Sequence, residues 1–334
     1  MIVLIIAIVY IVSVCCFAVY TYRSSFCWKN QDLEYTKRQG LGKGDFDQTY
    51  LDEPWREFEV ESPNGYRIAC VALEAQPDGA AEKNTAADGA TENPTAAQGA
   101  PVAIFVHGIS WTRYGMYKYM KHFSARGWTV VALDLPGHGK TVAPRRYYPA
   151  FGHYEKADVG AVVDFARARW PSARKLGVVG ESMGAGTVLE YAPLSNGKVD
   201  FVIADCPFSS VVDELAYLMR GKRWVPRVVQ IPALWLIQVI ARLSKGFWIE
   251  SVNPQKDILS CDVPVLFVHG LEDTFVPYEW SLRMYDGRKT RGVGRAELFL
   301  VPGAKHACSA RVDPEGWADA AFGFISRADP ESGR

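Results

Sequence analysis

The chain has 334 residues, 49% of them apolar, with 37 Lys and Arg balanced by 37 Asp and Glu, so it is long enough for one large domain or two small ones. A formal net charge of zero argues against a general nucleic-acid binder, which needs surplus cations to neutralise phosphates. The seven cysteines, Cys15, Cys16, Cys27, Cys70, Cys206, Cys261 and Cys308, form no C-x-x-C pair and no zinc-spaced cluster, so they suggest neither a disulfide framework nor a structural metal.

From Met1 to Tyr20 no side chain is charged, and a run of that length crosses a hydrocarbon core of ~30 Å as a helix. Residues 1–22 are therefore predicted to be a single transmembrane anchor. A cleavable signal would carry a basic n-region before the run and a small-x-small site after it, and this sequence has neither. Arg23, Lys29, Lys37, Arg38 and Lys43 all follow the run, which predicts that the rest of the chain stays on the cytoplasmic side of the cell membrane. Unpaired cysteines agree with a reducing compartment.

Residues 23–54 read as a polar juxtamembrane connector ending at Pro54. Trp55–Glu61 and Tyr66–Ala75, separated by the turn signal Ser62-Pro63-Asn64-Gly65, predict an antiparallel hairpin. Across 76–100 the composition collapses to small and polar residues, and T-A-A-x-G-A occurs twice, at Thr85–Ala90 and Thr95–Ala100. Such a segment has little apolar surface to offset its ordering entropy and is expected to be a disordered insert.

An α/β alternation follows. Strands are predicted at Val102–His107, Thr129–Asp134, Lys175–Val179, Phe201–Asp205, Val263–His269 and Glu297–Val301, with helices near Tyr114–Arg126, Tyr154–Trp170, Ser182–Tyr191 and Pro314–Arg327. The strands are continuous apolar runs, as expected of a parallel sheet covered by helices on both faces. Residues 55–328 thus make one domain.

The strongest motif is Gly180-Glu181-Ser182-Met183-Gly184, a G-x-S-x-G that ends an apolar strand and opens a helix, where a serine on a sharp turn needs small neighbours. The same glycine-rich turn lacks the Lys of a phosphate loop. A nucleophilic serine needs a base, and the base an orienting carboxylate. For this elbow they follow downstream as acid and then His. Asp273, in His269-Gly270-Leu271-Glu272-Asp273, and His306, in Pro302-Gly303-Ala304-Lys305-His306, both follow strands at the carboxyl edge, where open α/β folds place their sites. Of the six histidines, His122 lies in a helix, His138 and His153 lie upstream, and His107 and His269 end strands before glycines, leaving His306 as the general base. Asp205 is the rival for the acid. The backbone N–H groups of Met183 and Ile109 are the expected oxyanion donors, with Ser110 and Trp111 as candidate pocket residues.

With Val106-His107-Gly108 and Asp134-Leu135-Pro136-Gly137-His138-Gly139 added to these motifs, the chain resembles the α/β-hydrolase superfamily. Within it the chain is similar to the monoacylglycerol-lipase and serine-aminopeptidase group, especially membrane-anchored bacterial members. The resemblance spans about residues 55–327. It implies an α/β-hydrolase fold with a mostly parallel sheet, an N-terminal hairpin and a helical cap. By residue it implies a triad of Ser182, Asp273 and His306, an oxyanion hole at Ile109 and Met183, and a structural role for His138. Glu181 departs from the His often found before the nucleophile.

The cap falls at 206–255. Between Arg220 and Lys245 stand Arg220, Lys222, Arg223, Arg227, Arg242 and Lys245 with no acidic residue, interleaved with apolar ones that include Trp224 and Trp235. These two tryptophans are candidate pocket residues, and the stretch as a whole suits either a solvated cap or an interface with an anionic leaflet. Pro226 and Pro232 are expected to break it too short for a second span. The expected function is a serine hydrolase of lipid-like acyl esters at the membrane bilayer, working through an acyl-enzyme with no metal or cofactor. The alternatives are an aminopeptidase, with Glu181, Asp213 or Glu214 holding a substrate amine, and a non-catalytic membrane-anchored scaffold.

Overall fold

The computed structural model describes residues 1–27, 32–75 and 99–328. Residues 76–98, the bulk of the predicted disordered insert, lie outside the described residues. One eight-stranded sheet organises the chain: β1 (Arg56–Glu61), β2 (Arg67–Leu73), β3 (Val102–Val106), β4 (Thr129–Leu133), β5 (Leu176–Glu181), β6 (Phe201–Asp205), β7 (Val265–Gly270) and β8 (Ala296–Val301). Their order across the sheet is β1-β2-β4-β3-β5-β6-β7-β8. β1 and β2 form the antiparallel hairpin, β2 pairs antiparallel with β4, and every other pairing is parallel.

The helices are α1 (Ile2–Phe26), α2 (Leu33–Gly42), α3 (Gln48–Leu51), α4 (Tyr117–Ser124), α5 (Glu155–Arg169), α6 (Met183–Tyr191), α7 (Val211–Gly221), α8 (Arg227–Lys245), α9 (Pro254–Asp257), α10 (Glu279–Arg291), α11 (Ser309–Val312) and α12 (Pro314–Arg327). Strand side chains alternate between the two faces. Val102, Ile104 and Val106 of β3 pack with Val159, Val162 and Val163 of α5 and with Val188 and Leu189 of α6. Ala103 and Phe105 face the other way, onto Met120 and Phe123 of α4 and Trp317 and Phe324 of α12. Both faces of the central strands are therefore buried, which is why their sequences do not alternate.

A third cluster forms the cap, where α7 and α8 pack with α1. The stripe Val14, Phe17, Ala18, Thr21 and Tyr22 on α1 is buried at i, i+3, i+4, i+7, i+8 spacing. On α8 the inward stripe is Val229, Ala233, Ile237 and Ala241. The two helices run in the same direction, since Tyr10 meets Val228 near their N-termini and Tyr22 meets Ser244 near their C-termini. The apolar N-terminal helix thus lies against the cap along its second half.

Over 32–54 the predicted connector forms α2 and α3 and packs on the body: Phe46 stacks on Tyr114, Thr36 bonds Thr112 at 2.6 Å, and Arg311 clamps Asp45. One expectation is corrected. Pro232 does not break the cap helix, which runs unbroken from Arg227 to Lys245. A proline there leaves the carbonyl four residues earlier without its helical donor, and that carbonyl, Val228 O, accepts a hydrogen bond from the Tyr10 hydroxyl at 2.9 Å. Both α1 and α8 are long and apolar enough to cross a membrane by length and composition.

Candidate active site

Ser182 stands between β5 and α6 with φ 53° and ψ −115°, a conformation that costs an L-residue about 1–3 kcal/mol. The neighbouring glycines make the turn possible. A Cβ on Gly184 would come within 2.0 Å of Val106 O, and one on Gly180 within 2.3 Å of Gly184 O. Close seating of α6 on β3 therefore requires bare backbone at both positions.

Ser182 Oγ lies 2.9 Å from His306 Nε2, and His306 Nδ1 lies 2.7 Å from Asp273 Oδ2. In the tautomer with the proton on Nδ1, His306 donates to Asp273 and its Nε2 accepts from the serine hydroxyl. The other carboxylate oxygen, Asp273 Oδ1, accepts the backbone N–H groups of Phe275 and Val276, each at 2.9 Å. Burial alone raises the Asp273 pKa, but hydrogen bonds from His269 and His306 and the His306 charge outweigh it and hold the carboxyl well below the ordinary range. A carboxylate so anchored stays ionised and fixes the imidazole ring.

Asp205, the rival acid, is engaged elsewhere. It accepts from the Tyr119 hydroxyl at 2.9 Å, Ser309 Oγ at 3.0 Å and Trp317 Nε1 at 3.2 Å. Burial, with the Glu181 charge adding, pushes it up to about 6. Glu181 is buried in an ion pair with Lys118, whose Nζ also donates to Ala307 O at 2.8 Å. Lys118 thereby ties the residue before Ser182 to the residue after His306. No sequence signal marked it, since it stands in an aromatic stretch of α4 with no motif around it.

Ile109 and Met183 line the same cavity as Ser182. Met183 is the first residue of α6, so its N–H has no intrahelical acceptor. The Ile109 loop is held by two buried histidines. His107 Nδ1 donates to Gly108 O at 2.7 Å while its Nε2 accepts from Leu135 N–H at 2.9 Å. His138 Nδ1 donates to Pro136 O at 3.0 Å and its Nε2 accepts from Ser110 N–H at 3.4 Å. These roles need neutral rings, and burial depresses both, His107 to about 3.

The cavity beside Ser182 has a volume of about 520 Å³. Its walls are largely apolar, with Phe208, Leu215 and Met219 from the cap side, Phe151 opposite, and Tyr20, Thr21, Ser24 and Ser25 from α1. Four expected pocket residues are not on it. Trp224 and Trp235 are 75% and 66% exposed, because Trp224 sits in the loop before α8 and Trp235 lies off the inward stripe of that helix. Ser110 engages His138 through its backbone, and Trp111 lines a separate small recess with Lys118, Glu181 and His306. The participation of α1 had no sequence signal, since apolar residues predict burial in a membrane and in a cap alike.

Glu214 also faces the cavity. It is 6% exposed, and neither carboxylate oxygen has a hydrogen-bond partner among the described residues. Burial, with the Asp273 charge adding, pushes it up to about 8. The other two acids considered for an amine are occupied, Glu181 by Lys118 and Asp213 by Ser209.

Cys206, Asp273 and His306 bring donor atoms within 4.8 Å of one another. A cysteine ligates a metal as its thiolate, whereas burial raises the Cys206 thiol well above its ordinary value and the other two groups are engaged with each other. The donor set fits a proton-transfer pair better than a metal.

Residues 98–256 match the family model of the serine aminopeptidases, S33. Among curated proteins, the chain is 33% identical over 208 residues to the uncharacterised protein YqkD of Bacillus subtilis, covering 62% of this chain and 65% of that one. It is 25% identical over 202 residues to the serine hydrolase BPHL of Homo sapiens, covering 56% and 66%. These matches span just under two thirds of each relative's length. Among solved structures, an esterase of Pyrococcus furiosus superposes with a TM-score of 0.62 at 20% identity, over 85% of this chain and 95% of that one, a likeness of fold.

Proposed function

We propose that this chain, which has the α/β-hydrolase fold, is a serine hydrolase of lipid-like carboxylic esters. The observation that carries the reading is the continuous chain from Ser182 Oγ to His306 at 2.9 Å and on to Asp273 at 2.7 Å, set in an apolar cavity. His306 Nε2 takes the Ser182 proton as Oγ attacks the ester carbonyl. The N–H groups of Ile109 and Met183 receive the negative charge that develops on the carbonyl oxygen. On collapse His306 passes the proton to the departing alcohol and leaves an acyl-serine. Water then attacks with His306 again as base, releasing the acid and restoring the hydroxyl. Every proton is carried by the protein's own groups. A lining that is largely apolar, with its hydroxyls gathered along α1, favours an acyl chain over a peptide backbone, whose polar groups would go largely unpaired.

The test is labelling by a fluorophosphonate together with turnover of a p-nitrophenyl ester series. Ser182→Ala is expected to lose the label and to lower turnover by about 10⁴-fold or more. Equal labelling of the variant would remove the nucleophile assignment, and turnover no higher in the native chain than in the variant would leave a scaffold.

A second reading rests on Glu214. A buried carboxyl without a partner at the cavity wall is suited to a substrate ammonium, as an aminopeptidase requires. Aminoacyl p-nitroanilides compared with acyl esters decide between the two, and on the aminopeptidase reading Glu214→Gln raises KM for the anilides alone.

A further inference from the structure

The packing of α1 on the cap conflicts with a helix that crosses a bilayer. The apolar run has its middle near Val12, so spanning would place that level at the bilayer centre. Tyr10 is bonded to Val228, next to the exposed Arg227. Phe17 meets Trp224 with ring centroids 6.3 Å apart, beside the exposed Arg223, and Arg220 is exposed at the end of α7. In this arrangement three guanidinium groups, with no acidic residue from Arg220 to Lys245, would sit in hydrocarbon, where unpaired charge is strongly disfavoured.

The same geometry fits a different placement. The part of α1 beyond the level of Arg227, Ile2–Val9, is wholly exposed and apolar. At 1.5 Å per residue it is about 12 Å long, close to the ~15 Å of one leaflet's hydrocarbon. Where it ends, the basic groups begin: Arg227 lies beside Tyr10, and Arg223 lies with Trp224 near Phe17, about 10 Å further along α1, with Trp224, Val228 and Ile231 exposed on the cap. Cations and an exposed indole spread over a layer of that depth, with an apolar probe projecting past them, match headgroup phosphates over acyl chains.

We infer that α1 is a monotopic element. Ile2–Val9 enters one leaflet of an anionic bilayer, Arg220, Arg223 and Arg227 rest on its phosphates, and the second half of α1 stays bound to the cap as a wall of the cavity. The α1 wall of the cavity, Tyr20 to Ser25, then stands about 15 Å or more along the helix from Tyr10, and a single-chain acyl lipid reaches Ser182 by leaving the leaflet. This last step rests on the serine-hydrolase reading, whereas the docking itself does not.

The full chain is reconstituted with vesicles of phosphatidylcholine, alone or mixed with phosphatidylglycerol, and followed by flotation. The expected result is preference for the anionic vesicles, weakened by salt. Arg220→Gln/Arg223→Gln/Arg227→Gln should weaken binding to anionic vesicles by about a hundredfold while retaining hydrolysis of p-nitrophenyl acetate, which reports an intact fold. Equal affinity for both vesicle types, or an unaffected triple variant, overturns the proposal. Depth is read from Ile2→Cys with a membrane-impermeant maleimide and mass mapping of the label. Protection from both faces until detergent is added is expected, and labelling from the far face would establish a span and overturn the proposal. Ser182→Ala should float like the native chain, so a failed serine assignment leaves this result standing.

Discussion

Glu214 shows how a single side chain ties stability to the chemistry of the site. Its ordinary carboxyl value is about 4.3 in an unfolded chain, and burial raises it to about 8 in the folded one. Below pH 4 both states hold the proton and nothing differs. As pH rises from there the unfolded chain releases its proton while the folded chain keeps it, so stability falls until the folded group itself ionises near pH 8. Glu214→Gln keeps the neutral shape and removes this loss. Thermal unfolding of the two proteins should give similar Tm values near pH 4, a gap in favour of the variant that widens toward pH 8, and a constant gap above it. A gap independent of pH would mean that Glu214 is paired or solvated. Asp273 shows the opposite case at short range: partners that donate hydrogen bonds hold it ionised, and the two acids divide into one that orients His306 and one that awaits a donor.

At the scale of elements, Tyr10 and Pro232 form a unit joining α1 to α8. Removing the hydroxyl in Tyr10→Phe leaves Val228 O without its donor, at a cost of about 1 kcal/mol. Pro232→Ala restores a helical N–H to that carbonyl, so Tyr10→Phe should cost measurably less in that background. A double-mutant cycle from denaturant unfolding in detergent reads the coupling, and additive effects would show that the hydroxyl does not support the proline. Much of the architecture was legible in the sequence, because strands buried on both faces appear as apolar runs and their ends carry the motifs that meet at Ser182, Asp273 and His306. Other parts were not. The helix α10 was hidden because Arg288 occupies one of its inward positions, where its guanidinium donates to the carbonyls of Ile258, Cys261 and Val263, so apolar periodicity is missing. The run through Pro232 was illegible because its compensation comes from a residue over two hundred positions away. Likewise, an exposed stripe and an inward stripe on α8 contain the same residue types, and Trp235 could be assigned to the cavity only while its face was unknown.

At the scale of the whole molecule, the neutral charge balance is a sum over unlike parts. The apolar α1 and the basic stretch of the cap lie side by side, and their shared seam continues into the wall of the cavity beside Ser182 through Thr21 and Ser24. The position of α1 should therefore bear on which substrates fit, even though it contributes nothing to the group of Ser182, His306 and Asp273. Ala18 is fully buried in the seam and does not line the cavity. An indole there cannot be accommodated without displacing α1 from α8, and Thr21, one turn on, must shift with it. Ala18→Trp is expected to change KM for p-nitrophenyl decanoate several-fold while leaving turnover of the acetate ester close to that of the native chain. Val19→Trp, at a position 45% exposed, is the control and should alter neither. If both esters lose turnover in proportion, the wedge has damaged the fold as a whole. If neither responds, the N-terminal helix is a passenger on the cap, and acyl-chain selection belongs to α7 and the body alone.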